Sequence, residues 1–508
     1  MGRQSFLKGA FILAFASVLI RTIGFIYQII IIRLIGTEGI GIFNMVYPLY
    51  ITALVFVTAG LPLAISKFIS EEKSYNKVAS ENLLSVSITV LILTSTIVSL
   101  LLVLFSPYLI RAIYTDSRVI PSFLILVPTL LLCAVSSAIK SFFQGKQDMR
   151  PTAQSQLIEQ IIRFLTGLIL VYLLYPLGLT WAAVGLSIAI LISEIGGFVY
   201  LRISFRKYSP TAKLVTTPSS KVIIKLFSFG IPVTITRLVS TFLIAAEASL
   251  IPRQLMKVGS TLSQATSFYG ELTGVAFTLL MVPSTLSFAL ATSIVPAVSE
   301  AGSLNNKNEL RQKSTEAINI TLLAGVPCVL ILYFWGSIIS SLLFKAELGG
   351  QLLQFLALGG IFLYVAQTST GILQGIGCVK TIFFITLFCG IMRLGGIYYF
   401  GSQPDYYISG IAFSYVFSFV ATAFLNILII RKKGGLQLEP LFFVRISIAG
   451  LILIKMLNAT AYLIQNNIIL LILLVLAHTI VYFFLLLIMG DKYSRLILNQ
   501  LFKANSSR

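Results

Sequence analysis

The sequence predicts an all-α polytopic membrane protein with fourteen transmembrane helices: two six-helix lobes that are parallel repeats, and two further C-terminal helices. The 508 residues are 57% hydrophobic and only 11% charged, and the mean hydropathy is +0.96. A soluble domain of this length needs more charged residues to cover its surface. Apolar runs recur from end to end, each long enough to cross a hydrocarbon core of about 30 Å. One segment also repeats, because Gln144-Gly145 through Arg163 returns with the same internal spacing as Gln374-Gly375 through Arg393.

The predicted spans follow one another with short connections. The first apolar stretch comes after Arg3 and Lys8, as in a signal peptide. It is too long for one and has no small-residue cleavage site, so we predict an uncleaved first helix. The fourteen spans lie approximately at 9–32, 40–66, 83–110, 119–143, 153–175, 181–201, 223–250, 266–297, 315–335, 350–374, 379–400, 406–430, 441–463 and 468–490.

The basic residues are distributed unevenly over the connections. Of the 37 Lys and Arg residues, 25 lie at the N-terminus or in, or within four residues of, the connections that follow even-numbered spans; six lie in the alternate connections, and six lie deeper within spans. Because basic residues collect on the cytoplasmic side, this pattern predicts a multi-pass protein of the cytoplasmic membrane with both termini inside the cell. The net charge of +20 is then a sign of topology, and no nucleic-acid partner is expected.

The repeat sets the predicted domain boundaries. Ile69-Ser70-Glu71 has a counterpart at nearly the same offset in Val298-Ser299-Glu300, and Arg21 has one at a somewhat shorter offset in Arg237. Each repeat holds an even number of helices, so both enter the membrane in the same orientation. The prediction is an N-lobe at 1–201, a basic cytoplasmic linker at 202–222, a C-lobe at 223–433, and spans 13 and 14 with a cytoplasmic tail at 434–508.

Neither the cysteines nor the histidine indicate a metal site or a catalytic centre. Cys133, Cys328, Cys378 and Cys389 lie in or beside apolar segments without CxxC spacing, which favours buried free thiols. His478 has no second histidine or carboxylate at ligand spacing, so a packing role is favoured. We expect no metal, no catalytic residue and no cofactor.

Charged residues inside the spans are the sharper functional signal. Arg21, Arg163, Arg237 and Arg393 lie within apolar spans, where an isolated arginine costs about 2.5–3.5 kcal/mol and faces a bundle interior or a wet cavity. Arginines at matching positions of a duplicated bundle predict a central cationic cavity for an anionic substrate. Arginine suits a diphosphate because its planar guanidinium can grip phosphate oxygens bidentately.

Other polar residues accompany these arginines. Glu159 and Arg163 are spaced i,i+4 and could pair within one helix, with pairing between helices as the alternative. Glu271 lies near the start of span 8. Tyr27 could supply a hydroxyl or stack on a sugar, although interfacial anchoring is the commoner role of membrane tyrosines.

Several motifs make the chain resemble the stage V sporulation protein B family. They are Phe143-Gln144-Gly145-Lys146-Gln147-Asp148-Met149-Arg150-Pro151 with Gln156, Glu159-Gln160 and Arg163; Tyr269-Gly270-Glu271-Leu272-Thr273-Gly274 with Leu279-Leu280 and Pro283-Ser284; Gln4 to Gly9; and Leu61 to Lys67. The resemblance covers nearly the whole chain. That family belongs to the multidrug/oligosaccharidyl-lipid/polysaccharide exporter (MOP) superfamily, with the MurJ-type lipid II flippases and the MATE antiporters.

The resemblance implies a V-shaped central cavity and the flipping of an undecaprenyl-diphosphate-linked peptidoglycan precursor, with membrane lipids around it. MurJ-type flippases carry an Arg-Asp pair where this chain has Tyr27-Gln28, and an arginine near the position of Thr278. The expected substrate-binding set is therefore partly different from theirs. It consists of Arg21, Arg163, Arg237, Arg393, Glu159, Glu271, Tyr27 and Gln28.

The favoured function is an alternating-access flippase for lipid II, used in peptidoglycan or spore cortex synthesis. A flippase for another lipid-linked polysaccharide and a cation-coupled MATE-like exporter are alternatives within transport. A scaffold that recruits wall-synthesis enzymes is an alternative of another class, and a membrane glycosyltransferase is disfavoured because the acidic doublet Glu71-Glu72 is more simply a solvated loop. No Walker A motif is present, so energy would come from an ion gradient, the membrane potential or substrate flux.

Overall fold

A computed structural model describes residues 3–71, 77–210, 220–303, 306–437, 439–464 and 467–495. Within these ranges the regular structure is entirely helical, and no strand occurs. The all-α fold class is therefore confirmed. Residues 211–219 of the predicted linker, the predicted tail from 496 onward, and Glu72 lie outside the described residues.

Sixteen α-helices make up the described fold. They are α1 (Arg3–Thr58), α2 (Leu61–Glu71), α3 (Lys77–Ile113), α4 (Val119–Leu126), α5 (Thr129–Gly145), α6 (Arg150–Leu174), α7 (Leu179–Tyr208), α8 (Ser220–Lys257), α9 (Leu262–Gly270), α10 (Phe277–Ser303), α11 (Lys307–Phe344), α12 (Glu347–Gly375), α13 (Val379–Phe400), α14 (Tyr407–Lys432), α15 (Pro440–Thr460) and α16 (Ile468–Ile488). Short 3₁₀ turns follow α6 and α15, and a π-helical turn at Glu271–Ala276 joins α9 to α10.

Thirteen candidate membrane spans occur in the described ranges, judged by length and hydropathy. The first, Phe15–Thr58, is 44 residues long and is interrupted at Gly36, whose φ of 71° and ψ of 179° are not helical. A straight helix of that length would extend about 66 Å, roughly twice the hydrocarbon thickness. It corresponds to the first two predicted spans, and the count of fourteen stays a prediction.

The second predicted span, 40–66, is not one continuous helix. Helix α1 ends at Thr58, and α2 begins at Leu61. Between them Ala59 and Gly60 have φ angles of 44° and 69°. These left-handed conformations break the helical hydrogen-bond ladder, which the uniformly apolar sequence did not indicate.

The chain divides into two compact units, Met1–Gly270 and Glu271–Arg508. In the first unit α8 packs against α1, α2 and α3, and α9 packs against α1. In the second unit α12 packs against α10, α11 and α14, and α11 also contacts α15 and α16. The boundary between these units is defined by helix packing, whereas the boundary between the predicted lobes, at 202–222, is defined by the sequence repeat. That lobe division stays a prediction.

The repeat is visible as the same local structure in each unit. Helix α5 ends at Gly145, where Lys146 N–H donates to the Phe142 carbonyl at 3.0 Å. Helix α12 ends at Gly375, where Ile376 N–H donates to the Ile372 carbonyl at 2.9 Å. Each turn then passes through a positive φ, at Gln147 (60°) and Gly377 (83°) respectively.

Both glycines of this turn also permit the same close contact. A β-carbon at Gly145 would lie 2.8 Å from Cβ of Ile69, and one at Gly375 would lie 2.9 Å from Cβ of Val298. Ile69 and Val298 are the first residues of the two copies of the second repeated motif. Two separate sequence repeats therefore meet at one packing contact in each unit.

The connection between α3 and α4 is fixed by a buried carboxylate. Asp116 is fully buried, and the Arg118 guanidinium donates to its Oδ2 at 2.8 Å. Thr266 also donates to Asp116, and Arg118 contacts Glu38 at 2.7 Å. The hydrogen bonds to Asp116 raise the pKa of Arg118 above its usual value, so this arginine keeps its charge.

Candidate functional site

The first unit contains a cavity of about 200 Å³ between α1, α6 and α7. Helix α1 contributes residues from both sides of its break at Gly36. Within the described ranges, Arg163 is the charged residue among those that line the cavity. The lining residues are Gly24, Tyr27, Gln28, Ile40, Phe43, Tyr47, Gln160, Arg163, Leu186 and Ile190.

Arg163 lies on α6 and contacts α7. Its Nε donates to Ser193 Oγ at 3.4 Å, and its Nη2 lies 3.4 Å from Glu194 Oε1. These contacts are long for charge-assisted hydrogen bonds, which are usually about 2.7–2.9 Å. The Arg163 side chain is 26% exposed. The guanidinium is thus neutralised loosely by Glu194 and remains open towards the cavity.

Glu159 pairs with a different helix from the one its spacing suggested. Its carboxylate accepts from Lys140 Nζ of α5 at 2.8 and 3.1 Å. The two pairs, Lys140–Glu159 and Arg163–Glu194, both run between helices. Of the two predicted arrangements, the structure therefore has the interhelical one. A β-carbon at Gly197 would collide with the Glu159 carboxylate, so α7 leaves room for this pair.

Lys140 corrects one detail of the predicted topology count. The count groups it with the cytoplasmic connection that follows the predicted span 119–143, whereas it lies inside α5, more than a helical turn before that helix ends at Gly145. Its side chain is only 17% exposed. Burial beside Glu159 explains why a lysine is tolerated there, because removing a charge from water requires a close partner.

Tyr27 is held in the cavity wall by close packing. Its ring lies 5.9 Å from the ring of Phe164, and a β-carbon at Gly167 would collide with its hydroxyl. Gln28 follows it on α1, and Tyr47 lies on the part of α1 beyond Gly36. The cavity therefore combines phenol, amide and guanidinium groups, which can donate hydrogen bonds to an anionic or sugar-bearing ligand.

The other predicted site residues lie elsewhere. Arg21 is exposed on α1, one helical turn before Gly24, and Arg237 is exposed on α8. Arg393 belongs to the second unit, where its guanidinium lies 5.1 Å from the centroid of the Tyr415 ring. Glu271 accepts a hydrogen bond from Gly349 N–H in the first turn of α12. A carboxylate at this position stabilises a helix N-terminus.

Sequence reasoning missed three residues of this site. Gln160 precedes Arg163 by three positions on α6, and the i,i+3 spacing could have placed it on the same face. Lys140 was not expected near the site because the count of basic residues groups it with a connection between spans. Nothing in the sequence marks Tyr47 as a cavity residue, because its approach to the cavity depends on the α1 break at Gly36.

The sulfur and imidazole groups have ordinary packing contacts. All four cysteines are free, and the Cys133 thiol lies 3.2 Å from the Tyr50 hydroxyl. His478 is buried, with its Nε2 3.0 Å from Thr460 Oγ1. In the described part of the chain, no group of three or more His, Cys, Asp or Glu residues is placed to hold a metal ion.

Comparison with known protein families identifies the family to which the chain belongs. A family model described as "Polysaccharide biosynthesis protein" matches residues 6–302, more than half of the chain. The chain belongs to this family. A second model, described as "MatE", matches residues 272–398.

Alignments with individual relatives cover most of the chain. Stage V sporulation protein B of Bacillus subtilis (strain 168) is 28% identical over 439 residues, which is 85% of each protein. Lipid II flippase MurJ of the same organism is 27% identical over 407 residues, covering 74% of this chain and 73% of the relative. The predicted resemblance is confirmed: the chain is a MOP-superfamily membrane protein of the flippase and transporter type.

A solved structure shares the fold. "Lipid II flippase MurJ, inward closed conformation" superposes with a TM-score of 0.72 at 17% sequence identity. The match covers 96% of this chain and 99% of that one. The predicted MATE/MurJ-like fold is therefore confirmed over nearly the whole length.

Proposed function

We propose that this protein is a flippase that moves an undecaprenyl-diphosphate-linked cell-wall precursor, lipid II, across the cytoplasmic membrane. Two of the relatives support this proposal, because one is a lipid II flippase and the other a sporulation protein that aligns over 85% of the chain. The setting would be peptidoglycan or spore cortex synthesis. The transport step involves no covalent chemistry.

The observation that carries the proposal is Arg163 in the cavity of the first unit. A guanidinium keeps its charge at any physiological pH and can grip two phosphate oxygens at once. Tyr27, Gln28 and Gln160 line the same cavity and can hydrogen-bond sugar hydroxyls. An anionic headgroup with attached sugars matches this combination of one cation and several neutral donors.

The loose contact between Arg163 and Glu194 suggests how binding is reversible. At 3.4 Å, Glu194 neutralises Arg163 without saturating its donors. An incoming diphosphate would compete with Glu194 for the guanidinium, and departure of the diphosphate would restore the pair. The arginine would then never be left as an unpaired charge within the membrane.

Alternating exposure of this cavity to the two membrane faces would complete the transport cycle. The membrane potential or a coupling ion would determine the direction of transport. Wall-synthesis enzymes would be the expected partners on both sides, with the termini of the chain in the cytoplasm.

The direct test is flipping of fluorescently labelled lipid II in proteoliposomes that contain the full chain. Wild type should expose the label to an external quencher over time, and Arg163→Gln should slow the initial rate about 10- to 100-fold. That range corresponds to the loss of one hydrogen-bonded charge contact. Arg163→Lys should recover only part of the rate, because an ammonium cannot grip phosphate bidentately.

The control is Arg431→Gln, which removes an exposed arginine from the last turn of α14. It should leave the rate unchanged. Wild type that flips another polyprenyl-linked glycan but not lipid II would assign a different substrate. Wild type that moves neither, under imposed ion gradients and potentials, would contradict the flippase proposal and favour the wall-synthesis scaffold.

One observation favours a second candidate, a cation-coupled exporter of small amphipathic compounds. The "MatE" model matches residues 272–398, and two carboxylates, Glu159 and Glu194, lie beside the cavity. Both are already paired with basic residues, so we rank this function lower. Ion-driven efflux of a lipophilic cation by the same proteoliposomes would establish it.

A further inference from the structure

Two arginines of the second unit lie close together at the end of α16. Arg445 belongs to the second turn of α15, and its Nη1 donates to the Gly490 carbonyl at 3.1 Å. Arg495 follows Gly490 by five residues. If residue 490 carried a β-carbon, the Nη2 atoms of Arg495 and Arg445 would lie 3.6 and 3.9 Å from it. The two nitrogens are therefore no further apart than the sum of these distances, about 7.5 Å.

Gly490 leaves an opening between the two guanidinium groups. It follows the last turn of α16 with a φ of 73°, a left-handed conformation that glycine adopts without strain. Apart from the adjoining chain, the described residues place only the two guanidinium nitrogens within 4 Å of its β-carbon position. The end of α16 is therefore flanked by two positive charges with space between them.

The carboxylates on this part of the chain have other partners. Glu439 accepts from Lys492 Nζ at 2.7 Å and from the Tyr493 hydroxyl at 2.9 Å. Asp491 is buried and accepts from the Ser494 N–H at 2.7 Å. Within the described ranges, neither arginine has a carboxylate oxygen within 4.0 Å. Because like charges repel, an anion in the opening would stabilise this arrangement.

Arg445 is also part of an outward-facing stripe of α15. The spacing places Leu441, Arg445, Ile448 and Ile452 on one face of this helix, and we call these four residues the α15 stripe. Its three apolar members are 60%, 44% and 38% exposed, in chain order. They lie in the candidate membrane span Pro440–Leu463, so the stripe contacts lipid chains. A chain along the stripe would have its polar end near Arg445.

A phosphate group has the right size for the opening. Arginine holds phosphate oxygens by charge-assisted hydrogen bonds of about 2.7–2.9 Å. Two such bonds, with the width of a phosphate between them, together span up to about 8 Å. This exceeds the largest possible separation of the two Nη2 atoms, so one phosphate can reach both.

We propose that the opening at Gly490 binds the phosphate of an anionic phospholipid, held by Arg445 and Arg495, with an acyl chain along the α15 stripe. The start of α15 and the end of α16 lie on the side that the distribution of basic residues predicts to be cytoplasmic. The cytoplasmic leaflet would therefore supply the lipid, and basic pockets between membrane helices suit such headgroups. This site does not depend on which substrate the cavity around Arg163 carries.

The test measures tryptophan fluorescence in bilayers whose phospholipids carry bromine on one acyl chain, because bromine quenches nearby indoles. The reporter is Ile448→Trp, one helical turn from Arg445 on the α15 stripe. Trp181, which is 49% exposed, is replaced by Phe, and buried Trp335 is kept as a constant background. Brominated phosphatidylglycerol should quench the reporter about five- to twenty-five-fold better than brominated phosphatidylcholine, since each basic residue contributes roughly fivefold for anionic lipid.

Removal of the guanidinium groups should remove this preference. Arg495→Gln should lower it roughly fivefold, and Arg445→Gln with Arg495→Gln should bring it near one. The charge-matched control is Arg431→Gln, which removes an exposed arginine from the last turn of α14 and should change the preference less than twofold. Thermal unfolding in neutral detergent checks the fold. Arg495→Gln keeps the test valid if Arg445→Gln does not fold, because the Arg495 guanidinium has no hydrogen-bond acceptor within the described residues.

Position 490 itself gives a matched comparison. Gly490→Asp would place a carboxylate between the two guanidinium groups as a built-in competitor, whereas Gly490→Asn would place a neutral amide of the same shape there. Both residues tolerate a left-handed backbone better than most others. The first variant should lose the preference for phosphatidylglycerol, and the second should keep most of it. Equal preferences in the two variants, or a preference that survives the paired glutamines, would overturn the proposal.

Two competitors identify the source of the phosphate. Millimolar glycerol 3-phosphate should leave the quenching preference unchanged, and its loss would assign the opening to a soluble phosphate instead of a lipid. Equimolar undecaprenyl phosphate should not displace brominated phosphatidylglycerol. Displacement would contradict the proposal, because it would assign the opening to the lipid carrier of the transported substrate.

Discussion

Arg163 and Arg393 are equivalent positions of the repeat, each on the helix that follows a Gln-Gly turn, yet their surroundings differ in chemistry. Around Arg163, α5, α6 and α7 supply Lys140, Glu159 and Glu194. At the equivalent positions of the second copy, 230 residues further on, Lys140 and Glu159 are replaced by Thr370 and Cys389. Arg393 instead lies over the ring of Tyr415.

Neutral groups replace the Lys140–Glu159 ion pair in the second unit. Thr370 Oγ1 accepts from the Asn426 amide at 3.0 Å, and Cys389 is buried. The turn, the helix ends and the glycine contact are nevertheless the same in both units. The charged cluster is therefore not a requirement of the helical framework, which supports a functional role for it in the first unit.

The largest expected effect tests the buried pair that distinguishes the first unit. Glu159→Leu leaves the Lys140 ammonium without a partner, and the apparent free energy of unfolding should fall by about 3–5 kcal/mol. The measurement is unfolding of the purified chain in mixed micelles. Lys140→Met with Glu159→Leu should recover most of the loss, because neither charge is then buried.

Cys389→Ala is the matched change in the second unit, and it should cost about 1 kcal/mol. If Glu159→Leu proved no more costly than Cys389→Ala, the two environments would be energetically alike. The contrast between the units would then rest on geometry alone.

The next prediction compares how much Arg163 and Arg393 each contribute to the transport rate. Arg393→Gln should lower the lipid II flipping rate by less than about fivefold, because it weakens a cation–π contact of about 0.5–1 kcal/mol. Arg163→Gln should have the larger effect given above. A greater loss for Arg393→Gln than for Arg163→Gln, at equal reconstitution, would move the binding site towards the second unit. Tyr415→Leu checks the assignment, since it should reproduce the small effect of Arg393→Gln.

Where the two units are alike, paired mutations should have similar effects. Gly145→Ala would press on Ile69, and Gly375→Ala on Val298 and the Val295 carbonyl. Each should destabilise the protein by about 1–3 kcal/mol, the usual cost of overpacking. Thermal unfolding in detergent measures both. A difference greater than about 2 kcal/mol between them would show that the turns only resemble each other in backbone geometry.

Much of the fold could be predicted from the sequence because hydropathy and the distribution of basic residues are properties of whole helices and their connections. The two repeated motifs recur at nearly the same offset, and the structure joins them in the contact of Gly145 with Ile69. The break at Ala59 and Gly60 could not be predicted. Its left-handed backbone serves a contact with Gly230, which is distant in the chain, and local propensity carries no such information.

The candidate site could be predicted only in part for the same reason. Tyr27, Gln28 and Arg163 were expected in a cavity, and the structure brings these three together in the first unit. The i,i+4 spacing of Glu159 and Arg163 also suggested a partner, but Lys140 on another helix takes that role. Spacing along one helix cannot reveal which neighbouring helix packs closer.

The smallest expected effect concerns the residue after the shared turn. Gln147 adopts a φ of 60° where the second unit has Gly377 at 83°. A side chain in this conformation costs roughly 1–2 kcal/mol, partly offset by the greater chain entropy that glycine loses on folding. Gln147→Gly should therefore stabilise the protein by up to about 1 kcal/mol, and Gly377→Gln should destabilise it by a similar amount. Unfolding midpoints that moved in the same direction for both changes would mean that side-chain contacts of Gln147 outweigh its backbone strain, and that the two turns are not energetically equivalent.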